Sequence, residues 1–173
     1  MGKGSVSTVY DLENGYVEKT YTGYFTENNK SRLISAKNNA KGFNRYYGTG
    51  SATVKLTHNT DGEISVSVKL KKINGKILSD ILSLKDSHLN TEIISKIESN
   101  YPEETLSRKL QEKGIIHHDI NKGNIIYNEG EFFIIDFDSA NFLSNGKKVS
   151  ESQTESMKKK LQIVFNEVLR EIK

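Results

Sequence analysis

The chain of 173 residues predicts an α+β fold, with a strand-rich first part, a short connector and a helical second part that holds one hairpin. Three observations carry this expectation. Ser5 to Tyr10 and Tyr16 to Tyr21 flank Asn14-Gly15, a strong signal for a two-residue hairpin turn. Ala52, Val54 and Leu56 precede Asp61-Gly62, and Ile64, Val66, Val68 and Leu70 alternate after it, which is a second hairpin. Beyond residue 76 the apolar steps become helical, interrupted by the strand-forming runs Ile125-Ile126-Tyr127 and Phe132-Phe133-Ile134-Ile135 around Asn128-Glu129-Gly130.

Between the first two hairpins, Leu33, Ala36, Ala40, Phe43 and Tyr47 recur at three- and four-residue steps and predict a helix. Gly42 near its end weakens that helix by roughly 1 kcal/mol relative to Ala. Lys71-Lys72-Ile73-Asn74-Gly75-Lys76 breaks the pattern and reads as the connector, which sets expected boundaries at 1–72 and 73–173. Leu78 to Leu84 and Thr91 to Glu98 follow as short helices. Pro102 suits a first helical turn, and Gly114 suits the cap that closes the helix carrying Leu106 and Leu110. A polar loop is expected from Ser139 to Gln153, and Leu161, Val164, Phe165, Val168 and Ile172 mark a terminal amphipathic helix.

Composition narrows the function classes. A hydrophobic share of 35% and a mean hydropathy of −0.58 permit a modest core, to which eight Tyr and seven Phe add bulk. No run approaches the roughly 20 apolar residues of a membrane span, and no long apolar export signal is present, so a soluble protein is expected. With no cysteine, thiolate catalysis, disulfides and cysteine zinc sites are excluded. A net charge of +3 is too small to argue for nucleic acid. The segment from Asn28 to Thr60 nevertheless lacks acids while holding Lys30, Arg32, Lys37, Lys41, Arg45 and Lys55. That run suits a solvated helix face or, alternatively, a surface for an acidic partner.

The chemistry is concentrated in His117-His118-Asp119-Ile120-Asn121-Lys122-Gly123-Asn124 and, after the hairpin, Asp136-Phe137-Asp138. An H-x-D with an asparagine five residues beyond the acid, then a hairpin ending in D-F-x, has the spacing of a kinase catalytic loop and metal motif. Phosphoryl transfer needs positioning and charge neutralisation. Asp119 is the candidate base for the attacking hydroxyl, and Asn124 and Asp136 are the candidate Mg²⁺ ligands. Gly2-Lys3-Gly4-Ser5-Val6-Ser7-Thr8-Val9-Tyr10 has the form of a phosphate-cradling loop, with Gly2, Gly4 and Ser5 nearest the phosphates of ATP. The sequence begins inside this loop, so the strand that normally precedes it is expected to be missing or very short. Lys19, on the second arm of the first hairpin, is expected at the α- and β-phosphates. Its usual helix glutamate has no counterpart except Glu27, because no acid lies between residues 28 and 60. Lys122 is read either as a contact to the transferred phosphate or as solvent-facing, and His117 as a brace for the loop. Asp138 stands where a D-F-G motif has Gly, and His118 where many regulated kinases have Arg, so a switch through a phosphorylated loop looks lost.

Together Gly2–Tyr10, Lys19, Phe43–Gly48, Lys72–Asp80 and His117–Asn124 resemble the protein-kinase superfamily in order and spacing. More narrowly they resemble the minimal kinases that bacteria inject into host cells by type III secretion, and within these the HopBF effector family. The resemblance implies a minimal bilobal protein-kinase-like fold, an ATP- and Mg²⁺-dependent serine/threonine kinase, and action in the host cytosol as a monomer. It also implies a host protein substrate, the ATP-dependent heat-shock chaperone of the ninety-kilodalton class, which the modification disables. Two rivals stand beside it. One is a small-molecule kinase of the aminoglycoside or choline type, which Ile134-Ile135-Asp136-Phe137-Asp138 also resembles but for which the 35 residues after Asp138 leave little room for an acceptor pocket. The other is a nucleotide-binding pseudokinase, which the presence of Lys19, Asp119, Asn124 and Asp136 disfavours.

Overall fold

A computed structural model describes residues 3–4, 7–25, 31–58, 64–84 and 86–173 of the chain. It divides into two compact units. The first comprises Met1–Lys72 with Phe137–Ala140, the second Ile73–Asp136 with Asn141–Lys173.

The first unit is a five-stranded antiparallel sheet crossed by a helix. Its strands are β1 (Lys3–Gly4), β2 (Ser7–Asp11), β3 (Tyr16–Phe25), β4 (Ala52–His58) and β5 (Ile64–Lys71), in the order β1-β2-β3-β5-β4. The first turn is wider than Asn14-Gly15 predicts. The Leu12 amide donates to the Tyr16 carbonyl at 3.0 Å, and Glu13 as well as Gly15 adopts positive φ, at 56° and 81°. The Asp11 side chain drives this widening, because its Oδ1 accepts from the Glu13 amide at 3.0 Å and so starts the turn early. Asp61-Gly62, expected as the second turn, lies outside the described residues.

Helix α1 (Ser31–Tyr47) joins β3 to β4 and packs on β4 and β5. The expected stripe is present, but the buried face is broader, taking in Asn39, Gly42 and Tyr46 beside Ala36, Ala40 and Phe43. Gly42 has a packing reason to be there. A Cβ at this position would stand 2.2 Å from the Cβ of Phe137, so only glycine lets that ring lie against the helix. Phe137 is fully buried and meets Phe43 edge-on at 6.0 Å and Tyr46 at 5.7 Å between ring centres. Of the basic run, Lys37 and Lys41 are exposed on α1, while Arg32 and Arg45 are partly covered.

The second unit begins with β6 (Lys76–Ile77) and three helices: α2 (Leu78–Leu84), α3 (Ser87–Asn100) and α4 (Pro102–Glu112). Asp86 caps α3, its carboxylate accepting from the amides of His88 and Leu89, and Pro102 opens α4 as expected. Gly114 takes φ 63° after α4, and its amide returns to the Gln111 carbonyl at 3.0 Å. Then come β7 (Ile115–Ile116), a short 3₁₀ turn (Lys122–Asn124), β8 (Ile125–Asn128), β9 (Glu131–Ile134), β10 (Asn141–Phe142) and α5 (Glu151–Ile172). β8 and β9 form the expected hairpin, turning on Glu129 and Gly130 at φ 48° and 85°. β6 adds to it as a third strand.

The pairing of β10 with β7 lay inside the segment expected to be a plain polar loop. Two residues per strand are too few to leave a periodic signal. The core of this unit gathers Leu78 and Ile81 of α2, Ile93 and Ile97 of α3, Leu106 of α4, Ile125 and Tyr127 of β8, and Leu161, Val164, Phe165 and Val168 of α5. Among the described residues no helix is long and apolar enough to cross a membrane.

Candidate active site

Four of the expected site residues, Asp119, Lys122, Asn124 and Asp136, lie in the second unit. β7 leads into the loop 117–121, the 3₁₀ turn delivers Asn124, and the hairpin returns the chain to Asp136. Register sets Asn124 and Asp136 near each other: Ile125 pairs with Ile134, and the Ile135 amide donates to the Asn124 carbonyl at 2.9 Å. Asn124 is buried, and its Nδ2 donates at 2.9 Å to both the carbonyl oxygen and Oδ2 of Asp119. Asn121 holds the other side of that carboxylate, its Nδ2 donating to Oδ1 at 2.8 Å. The Asn121 Oδ1 accepts from the Gly123 amide at 2.8 Å and so caps the turn that carries Asn124.

Asp119 itself is exposed. Two amides therefore aim its carboxylate while each oxygen keeps a further lone pair for a substrate proton. Asp136 has φ 61°, a left-handed conformation that a non-glycine residue holds only where its surroundings impose it, and such strain gathers at functional positions. Because the Asn124 amide nitrogen is committed to Asp119, its Oδ1 is the atom left to ligate. It and the Asp136 carboxylate are the hard-oxygen groups that would hold Mg²⁺. Among the described residues no group of three or more His, Cys, Asp and Glu gathers as a metal cluster, so a softer site of that type is not seen.

His117 is 1% exposed and braces the loop from behind. Its Nε2 donates to the Ile135 carbonyl at 3.2 Å, and its amide donates to the Met157 sulfur at 3.4 Å. Burial pushes its pKa below the ordinary histidine value, with the Ile135 carbonyl and the Asp136 and Asp119 charges opposing. His118 is exposed and its Nε2 accepts from the Asn141 amide at 2.9 Å, which ties the loop to β10. Lys122 is engaged by Glu171 of α5, at 2.7 and 2.9 Å to the two carboxylate oxygens. The reading of Lys122 as a phosphate contact thus has to compete with a partly exposed ion pair, which is worth at most about 1 kcal/mol.

In the first unit Lys19 is 5% exposed on β3, opposite Val9 of β2 and Val68 of β5. Its ammonium pairs with Asp138 Oδ2 at 2.9 Å, and Tyr21, two residues along the same strand face, donates its hydroxyl to Asp138 Oδ1 at 2.6 Å. Sequence reasoning marks Asp138 as a departure from the motif's glycine and looks for the lysine's partner at the helix start, in Glu27. The signal was present, in an unexplained acid beside a missing one, but nothing local joins positions 119 residues apart. Of the phosphate loop, Gly4 lies in β1 opposite Ser7, while Gly2, Ser5 and also Glu27 lie outside the described residues.

An antiparallel sheet with one crossing helix, followed by a helical unit that sets an H-x-D loop and a D-F-x motif on a hairpin, is the fold of protein kinases. Solved structures of the bifunctional kinase–methyltransferase WbdD share it. One aligns with 90% of this chain at TM-score 0.54 and 19% identity, and another, bound to a kinase inhibitor, with 97% at TM-score 0.57 and 18% identity. The chain spans only about a third of the WbdD chains, 33% and 37%. The narrower family follows from sequence. The family model described as "Protein kinase OspG, kinase domain" matches residues 1–164, and the chain belongs to that family. Proteins named protein kinase OspG from Shigella flexneri and Shigella sonnei (strain Ss046) are each 27% identical to it over 169 residues, which cover 96% of this chain and 79% of theirs.

Proposed function

We propose that this protein kinase is a bacterial effector that transfers the γ-phosphate of ATP to a serine or threonine hydroxyl of a host protein. The observation that carries the reading is the Asp119 carboxylate aimed by two amides, one of which belongs to the candidate metal ligand Asn124. A pseudokinase has no need to hold an exposed acid in this way. Asp119 accepts or orients the hydroxyl proton, which raises the acceptor's nucleophilicity as the oxygen approaches phosphorus. Asn124 and Asp136 would hold Mg²⁺, which when bound neutralises phosphate charge. Lys19 supports the α- and β-phosphates, and Gly2, Gly4 and Ser5 are the proposed phosphate-binding residues of the glycine-rich segment. Lys122, bound to Glu171, has at most an auxiliary part in transfer.

In this reading residues 1–72 serve as the nucleotide-holding lobe and 73–173 as the catalytic lobe. The protein acts as a monomer in the host cytosol, and the acceptor is a serine of the ninety-kilodalton heat-shock chaperone, as the likeness to the HopBF family suggests. Membership of the OspG kinase family supports protein phosphorylation and leaves the acceptor to experiment.

The test is transfer of labelled γ-phosphate from Mg-ATP in eukaryotic lysate, comparing the wild type with Asp119→Ala. One dominant labelled band at the chaperone's size, absent with the variant, is the expected result. A dominant band of another size keeps the kinase and replaces the substrate. ATP consumption that responds only to small hydroxyl compounds overturns the protein-kinase reading.

A further inference from the structure

We propose that Asp138 is the positioning residue for Lys19, taking the place of the helix glutamate that orients this lysine in other protein kinases. The inference deepens the kinase reading above and rests on it. A buried ammonium is costly without an anion beside it. Lys19 is buried, and α1 contains no Asp or Glu at any of its positions from Ser31 to Tyr47. What the helix supplies instead is a pair of amides. The Asn38 Nδ2 donates to the Asp138 carbonyl oxygen at 3.1 Å, and the Asn39 Oδ1 accepts from the Phe137 amide at 3.2 Å. Asn39 is fully buried, and its own Nδ2 donates to the Tyr21 hydroxyl at 3.3 Å.

The helix thus grips the backbone of residues 137 and 138, and the acid arrives on that backbone rather than on the helix. Asp138 then spans two groups of β3, Lys19 through Oδ2 and Tyr21 through Oδ1. An ammonium has three N–H donors, so pairing with Asp138 does not by itself exhaust it. Two departures from the usual kinase pattern, the absent helix acid and the acid in place of the motif's glycine, compensate each other. A glycine at 138 would leave the Lys19 ammonium without this carboxylate. The arrangement also couples the lysine to the metal motif through the chain itself, since Asp136 is two residues before Asp138.

A double-mutant cycle on nucleotide affinity tests this, using a fluorescent ATP analogue with Mg²⁺ and the single variants Asp138→Asn and Lys19→Met with their combination. Asp138→Asn is expected to weaken binding roughly tenfold, to do nothing further once Lys19 is Met, and to be partly rescued by Asp138→Glu. The Mg²⁺ concentration for half-maximal binding should stay where it is in the wild type. Losses that simply multiply in the double variant overturn the proposal. So does a raised Mg²⁺ requirement, which would make Asp138 a metal ligand instead. If Asp138→Asn does not fold, Tyr21→Phe decides: it removes the hydroxyl that donates to Asp138 Oδ1 and is expected to weaken binding a few-fold, and unchanged affinity overturns the idea. A wild type that binds nucleotide but phosphorylates no protein would count against the proposed function alone.

Discussion

The catalytic loop and the surroundings of Lys19 solve similar problems in opposite ways. In the loop, an exposed acid is oriented by groups two and five residues away, Asn121 and Asn124, so the partners travel with the residue they hold. Around Lys19, a buried base is neutralised by an acid 119 positions further along, delivered by a segment that α1 holds through Asn38, Asn39 and the space at Gly42. Local arrangements of the first kind leave a motif. Those of the second leave two anomalies that make sense only together.

The comparison can be broken by substitution, beginning with the largest effect. Asp119→Ala or Asp136→Ala is expected to lower phosphate transfer by about a hundred- to ten-thousandfold, with unfolding unchanged, as measured by labelled ATP and thermal denaturation. A folded Asp136→Ala protein with full activity would refute the metal-ligand assignment. Gly42→Ala reverses the pattern. The added methyl meets Phe137, so stability should fall by about 1–3 kcal/mol in denaturant titration, although Ala is the better helix former.

His117 sharpens the comparison through pH. Well above the ordinary histidine value of about 6.5 its ring is neutral in folded and unfolded chains alike and adds no pH dependence. Below that, the unfolded chain takes up a proton that the buried ring resists, so the unfolded state binds more protons and stability falls with pH. Unfolding free energy measured from about pH 7.5 to 5.5 should decline, and less steeply in His117→Gln. The smallest effect is expected at Lys122→Ala, which breaks a partly exposed pair with Glu171: less than about 1 kcal/mol of stability and only a few-fold change in transfer. A hundredfold loss of activity there would restore Lys122 to the phosphate.

Much of the fold was legible because its elements are periodic. The alternation of Ile64 to Leu70, the stripe of Leu33 to Tyr47 and the Glu129-Gly130 turn each state their element within a dozen residues. The first turn was misread because an Asp11 side chain, not the Asn14-Gly15 pair, sets its width. β10 was missed because a two-residue strand has no period, and pairing with β7 alone makes it one.

The candidate site divides along the same line. Sequence alone pointed to the proposed reacting set Asp119, Asn124 and Asp136, since one loop and one hairpin carry all three. It also determined that α1 brings Lys19 no acid. Only the tertiary structure decided which anion does: Asp138, drawn to β3 because Gly42 lets Phe137 into the core and the α1 amides fasten the backbone beside it. The physical reason is burial. A charge removed from water must find its counterion wherever packing leaves one, and packing joins residues that the order of the chain keeps apart.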